Sequence, residues 1–151
     1  MTRRRDPAPF ARLAALQELA VIERRRAVEM ACAETDLCTE REAEMHRQVR
    51  AAEANLGDVH AADRLCPVRL GLAAAILGAN EDALAAGRQA LLASQKEEEA
   101  ASLAWQGARH RVRWFAERAR DLAKAEVERH DAAAEAEARS LDLALKGRIK
   151  G

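Results

Sequence analysis

Three cysteines, four histidines and many carboxylates are the side chains of this 151-residue sequence that could hold a metal or move a proton. Their spacing argues against both. Cys32 and Cys38 are separated by about 600° of helix, which puts them on nearly opposite sides. Cys66 has His60 near it, but two ligands fall short of a zinc site. His130, Asp131 and Glu135 have the types of a proton relay, yet so charged a stretch reads as a solvated helix face. No glycine-rich phosphate loop follows a strand, and H-E-x-x-H, paired C-x-x-C and nucleophile-elbow patterns are missing. The expectation is a protein that is not an enzyme, with no catalytic residue, cofactor or metal. An odd number of cysteines without a framework spacing suits a reducing cytoplasm.

A second group has the chemistry of recognition. Arg109, Arg111, Arg113, Arg118 and Arg120 surround Trp114, and cations with a stacking ring are what a single-stranded nucleic acid needs. These arginines fan around the helix instead of forming a stripe. The 25 basic and 25 acidic residues cancel, so no bulk field draws nucleic acid or acidic lipid. Nucleic-acid binding is therefore the least favoured reading. In the same stretch Trp105, Ala108, Val112, Phe115, Ala119 and Leu122 follow a 3-4-3-4-3 spacing, the period of a helix pressed against another helix. Trp105 and Phe115 then read as core.

The elements that must position these residues are helices. The chain is 49% hydrophobic and 33% charged but only 3% aromatic, the balance of long helices or coiled coils and not of a wide globular core. Alanine supplies much of the hydrophobic share and has the best helix propensity. The uncharged run Leu70–Asn80 is about half the roughly 20 apolar residues that a membrane span needs. Arg12 and Glu18 interrupt the apolar stretch that a secretory signal would require. Asp6 is placed to cap the first helix, with Pro7 at its first position and Pro9 in its first turn. Phe10, Leu13 and Leu16 lead into a heptad ladder of Val21, Val28, Ala31, Cys38, Met45, Val49, Ala52, Leu56 and Val59, which Arg24, Thr35 and Glu42 interrupt. Gly57 is the first plausible stop. After Pro67, Leu70, Leu77, Leu84 and Leu91 recur every seven residues, and the phase carries on through Glu98, Trp105, Val112 and Ala119. That phase favours one helix through Gly78, over a break there with Asn80 capping a new helix. Small residues at Gly87, Ser94, Ala101 and Ala108 alternate with large ones and permit close approach.

The reading is an all-α chain in a single domain, an antiparallel coiled-coil hairpin with an extended C-terminal helix. Helix one spans about 7–56, the turn about 57–67 and helix two about 67–146. Its seam includes Phe10, Leu16, Leu84, Leu91, Trp105, Val112 and Phe115. A turn that sets residue 56 against residue 68 puts Phe10 beside Trp114 and Phe115, and Leu16 and Leu19 near Trp105. It also puts Glu98, the seam member of Glu97–Glu99, opposite Arg24–Arg26. Glu42 against Arg88 fits that register less well. Helix two is about 80 residues, roughly 120 Å at 1.5 Å per residue, so it outruns helix one. The part beyond about Ala119 is left without a partner in the chain. Trp114 falls about 135° from the seam, among His110, Arg111, Glu117 and Arg118, the make-up of an interface hot spot. It reads equally as a partner contact and as packing within a homo-oligomer. The partner-binding set is Trp114, Arg111, Arg118 and His110.

The early Phe10-Ala-Arg-Leu-Ala-Ala-Leu-Gln-Glu-Leu stretch, the two long charged helices and the Trp105 and Trp114 segment resemble the stalk protein family of type III export. That family is FliJ in flagella and YscO in injectisomes. The likeness covers nearly the whole chain as pattern and length. It implies a cytoplasmic central stalk, similar to the rotor γ subunit of rotary ATPases, in the hole of a hexameric export ATPase. It further implies contacts with the export gate at the inner membrane and with substrate chaperones, without membrane insertion. It carries over no binding residue. The alternative is a generic coiled-coil scaffold or homo-oligomer, in which the overhang pairs with another copy.

Overall fold

The computed structural model describes the backbone of residues 7–149 and the side chains of residues 7–146. Two helices account for almost all of it: α1, Ala8–Ala61, and α2, Pro67–Ile149. The helices pack against each other, and their contacts divide the chain into two compact units. One comprises Glu23–Trp105, the other Met1–Ile22 with Gln106–Gly151.

The ends of the helices follow from local chemistry. The Pro7 carbonyl accepts from the N–H groups of Phe10 and Ala11 at 3.1 and 3.2 Å, so the helix proper begins at Ala8. Pro7 thus takes the flanking position expected of Asp6, which lies outside the described residues. At the start of α2 the Cys66 carbonyl accepts from Leu70 at 3.0 Å. Pro67 fills the first helical position, where its missing donor costs nothing.

Helix α1 does not stop at Gly57. It runs on to Ala61, and no described glycine has a positive φ, so no left-handed cap forms there. The phase explains the extension: Leu56 and Val59 are both half-buried, so one more seam step offsets the roughly 1 kcal/mol cost of a helical glycine. Similarly, α2 passes through Gly78 and Asn80 without a break. Asn80 reaches across to the Gln48 carbonyl at 3.4 Å instead of capping a new helix.

In the unit Glu23–Trp105 the buried residues are Cys38, Val49, Ala52, Ala73, Leu84 and Ser94, and Leu91 and Trp105 are half-buried. The pairs Gln48–Asn80, Glu42–Arg88, Thr35–Ser94 and Cys32–Glu98 show one helix's numbers falling as the other's rise. Glu98 therefore meets Cys32 and not Arg24–Arg26; Arg25 binds its own neighbour Glu29 at 3.0 Å. The shift of nearly a heptad matches the residues that α1 gains past Gly57. The helices approach closely at Gly87, where an added Cβ would sit 2.6 Å from Met45 Sδ.

In the second unit Ala14, Ala108 and Leu122 are buried, and Ala108 has no exposed surface at all. Phe10, Val112 and Phe115 are half-buried. Leu16 is a correction: it is 61% exposed, as is Leu19, and Leu13 is exposed too. The seam enters α1 through Phe10, Ala14 and Gln17, which keep the heptad phase that the larger leucines leave. Every described residue from Glu126 to Lys146 is exposed.

Candidate functional site

The feature with the most recognition chemistry is built at the start of α1. Phe10 lies on its seam, and the facing part of α2 offers Trp114 and Phe115 in succession. The three rings form one cluster: Phe10 meets Trp114 edge-on at 6.2 Å, Trp114 meets Phe115 edge-on at 5.0 Å, and Phe10 tilts against Phe115 at 6.4 Å. Edge-to-face pairs at these separations are favourable beyond their burial. Trp114 does not simply project outward, as the helix count implies. Phe10 reaches around the helix to cover part of it, and 56% of its surface stays exposed. A shallow recess of about 410 Å³ beside it is lined by Phe10, Trp114, Glu117, Arg118 and Asp121.

The four residues expected to bind a partner separate here. Trp114 and Arg118 share that recess. Arg111 is held by its Nε, which donates to Gln17 Oε1 at 3.1 Å. His110 is exposed and does not line the recess. Asp121 is the member that sequence reasoning missed. It lies seven residues beyond Trp114, two turns along one face, and that spacing was the signal available. A larger groove of about 580 Å³ opens on the same unit between Val21 and Ile22 of α1 and Arg109, Val112, Arg113, Ala116 and Arg120 of α2.

The polar groups of the unit Glu23–Trp105 are arranged for pairing. Thr35 donates its single hydroxyl proton to the Ala31 carbonyl at 3.0 Å, so Ser94 is the donor in the 2.9 Å contact between the two hydroxyls. The Cys32 thiol donates to Glu98 at 3.4 Å. That bond, with burial and the nearby charges of Glu98 and Asp36, pushes the thiol up from its ordinary value. The Arg88 guanidinium donates to Glu42 at 3.4 Å and lies 3.0 Å from His46 Nε2. On the surface, bonds from Arg47 and Gln48 hold Glu44 below the usual carboxylate range.

Cys66 is exposed, and its sulfur accepts from the N–H groups of Arg69 and Val68 at the start of α2. Those bonds, followed by the Arg69 charge, favour the thiolate and lower its pKa. His130, Asp131 and Glu135 are all exposed, and Glu135 accepts from Arg139 at 3.1 Å. Among the described residues, no group of three or more His, Cys, Asp or Glu side chains could hold a metal. Nor is any described helix long and apolar enough to cross a membrane.

Set beside models of protein families, curated proteins and solved structures, the chain matches none.

Proposed function

We propose that this chain is a non-enzymatic stalk or escort protein of a flagellar or type III secretion export ATPase, working through protein–protein contact, and that its helices form an antiparallel coiled-coil hairpin. The observation that carries the reading is the inequality of the helices. Helix α2 has 83 residues against 54 in α1, and residues 126–146 are exposed on every side. An exposed helical segment beyond the packed part of α2 is a free surface that a stalk can offer a partner. The descending order of cross-helix pairs supports the antiparallel arrangement. Trp114, with Arg118 beside it, is the contact for the partner, and Arg111 and His110 flank it. The export gate and substrate chaperones are further partners, and the site of action is the cytoplasmic face of the inner membrane.

The test is co-purification with a hexameric export ATPase and measurement of its hydrolysis rate. The stalk reading expects both binding and stimulation, with Trp114→Ala weakening both. A chain that neither binds the ATPase nor changes its rate ends the proposal. A general scaffold that acts as a homo-oligomer is the second reading, and the unpartnered surface of residues 126–146 favours it. Nucleic-acid binding predicts salt-sensitive affinity that falls on Arg111→Ala. No mobility shift at low salt would remove it.

A further inference from the structure

One face of α2 has a pattern that the paired seam does not use. Arg109, Arg113, Ala116, Arg120 and Lys124 follow one another at steps of three or four, and Val127, Asp131, Ala134, Ala138, Leu141 and Leu145 continue the same stripe. The stripe changes character along its length. Its first half borders the groove floored by Val21, Ile22, Val112 and Ala116, with Arg113 and Arg120 at the edge. In its second half Val127, Leu141 and Leu145 are 60%, 65% and 61% exposed. Apolar side chains repeating at this period on a bare helix present a packing face with nothing on it.

Charge says what fits. From residue 109 to 124 there are six cations and two acids; from 126 to 142 there are six acids and two cations. By the helical period, Asp131 lies at the border of the stripe and Glu135, Glu137 and Asp142 flank it, whereas Arg129 and Arg139 fall toward the opposite side. The bare tail is therefore an apolar strip edged with acid, and the groove is an apolar trough edged with arginine. Glu18 and Glu117 also line the groove and reduce its positive charge without reversing it.

We infer that the groove takes the C-terminal helix of a second copy of this chain. Because groove and tail share one face of α2, an antiparallel pairing of two α2 helices about a two-fold axis near Lys124 seats each tail in the other's groove at once. Arg113 then meets Asp131 and Glu135 of the second copy, and Arg120 meets its Val127–Asp131 segment. The contact runs from about residue 109 to about 139, roughly 45 Å of helix. It is isologous and closed, so it stops at a dimer. It does not depend on an export ATPase and stands or falls separately from the stalk reading.

The experiment is sedimentation equilibrium on the full chain, with circular dichroism as the check on helicity. The wild type should be a dimer at about 50 µM and should dissociate as salt rises. The groove variant Arg113→Glu/Arg120→Glu and the tail variant Asp131→Arg/Glu135→Arg should each weaken the dimer about tenfold or more, with helicity kept. All four sites are exposed, and the Glu135–Arg139 bond lost in the tail variant is a surface pair. Mixed in equal amounts, the two variants should recover a heterodimer, because each groove then faces a tail of opposite charge. A wild-type monomer at that concentration overturns the inference. A groove variant that dimerises like the wild type also overturns it, since the tails would then be pairing elsewhere. So does a mixture that fails to recover association.

Discussion

The two units keep the same heptad phase and fill it differently. Between Glu23 and Trp105 the seam mixes Val49 and Leu84 with small and polar side chains: Ala52, Ala73 and Ser94 are buried, Gly87 lies against Met45, and Thr35, Glu42 and Glu98 all find partners across it. Around residues 10–22 and 106–122 the seam holds Ala14, Ala108 and Leu122, and three rings gather at the start of α1. Small polar seams bury little apolar area but fix alignment, because each slip leaves several hydrogen-bonding groups unpaired. Aromatic clusters bury more and constrain alignment less, since rings pack favourably at several separations. The first unit is built to hold register; the second is built to hold a helix end and expose a face.

The largest effect that tests this contrast is a charge placed on the polar seam. Leu84 is one of the few large side chains buried there, at 7% exposure. Leu84→Asp should cost roughly 3 kcal/mol or more, because an isolated carboxylate has no partner in an apolar contact. Thermal melting followed by circular dichroism reads it. Leu16→Asp, on an exposed leucine, should change the midpoint by less than about 0.5 kcal/mol in equivalent stability. Equal losses in the two variants would show the face assignment to be wrong.

Next in size is the aromatic end. Phe10→Ala removes the ring that touches both Trp114 and Phe115 and should cost about 2 kcal/mol, less than a fully buried phenylalanine because Phe10 is only half-buried. Trp114 fluorescence should shift to the red while the polar seam keeps its hydrogen-exchange protection. Loss of protection at Thr35 and Ser94 in the same variant would mean that the two regions do not differ in the way described.

A smaller effect belongs to the hydroxyl pair. Ser94→Ala and Thr35→Val should each cost about 1 kcal/mol, and the double variant should recover part of the sum, leaving a coupling of roughly 0.5 kcal/mol or more. Additive losses would deny the pair its role in register. The thiol beside it adds a pH dependence. Cys32 is raised above its ordinary 9.0 by the Glu98 carboxylate, so its contribution is complete below that pH and is lost as the pH climbs through the folded-state value. Cys32→Ala should flatten the alkaline fall in stability, and an unchanged slope would remove Cys32 from its cause.

Much of the fold is legible in the sequence because one repeat runs through both helices. The positions from Val21 to Val59 and from Leu70 to Leu122 can be counted without knowing what covers them. The errors arise where residue size or type competes with phase. Leu13 and Leu16 outweigh Ala14 and Gln17 on any hydropathy scale, yet a heptad seam takes the residue in phase, and in a narrow two-helix contact that residue is small. Gly57 has the chemistry of a stop, but Val59 lies one seam step beyond it. That extension then carried the expected register with it. The candidate site is less legible. Its own helix alone gives the direction of Trp114, and only the position of Phe10 on the other helix shows how much of the ring is covered. Asp121 and the groove beside Val21 and Ile22 are produced by two helices together, which no single-helix count contains.

The smallest predicted effect is also the most direct measure of how closely the polar seam packs. A glycine in a helix interior should gain roughly 1 kcal/mol on replacement by alanine, through lower entropy of the unfolded chain and better propensity. At Gly71 a new methyl meets nothing within 4 Å, so Gly71→Ala should show that full gain. At Gly87 the same methyl meets Met45 Sδ at 2.6 Å, and the thioether must move before alanine fits. Methionine is flexible, so the strain is small, but it draws on the same kilocalorie. Gly87→Ala should therefore fall short of Gly71→Ala in denaturant midpoint, and Met45→Ala should restore the difference by opening the space. If both glycine replacements stabilise equally with Met45 in place, the helices do not approach as closely there as Gly87 implies. Alignment in that unit would then rest on its hydrogen bonds alone.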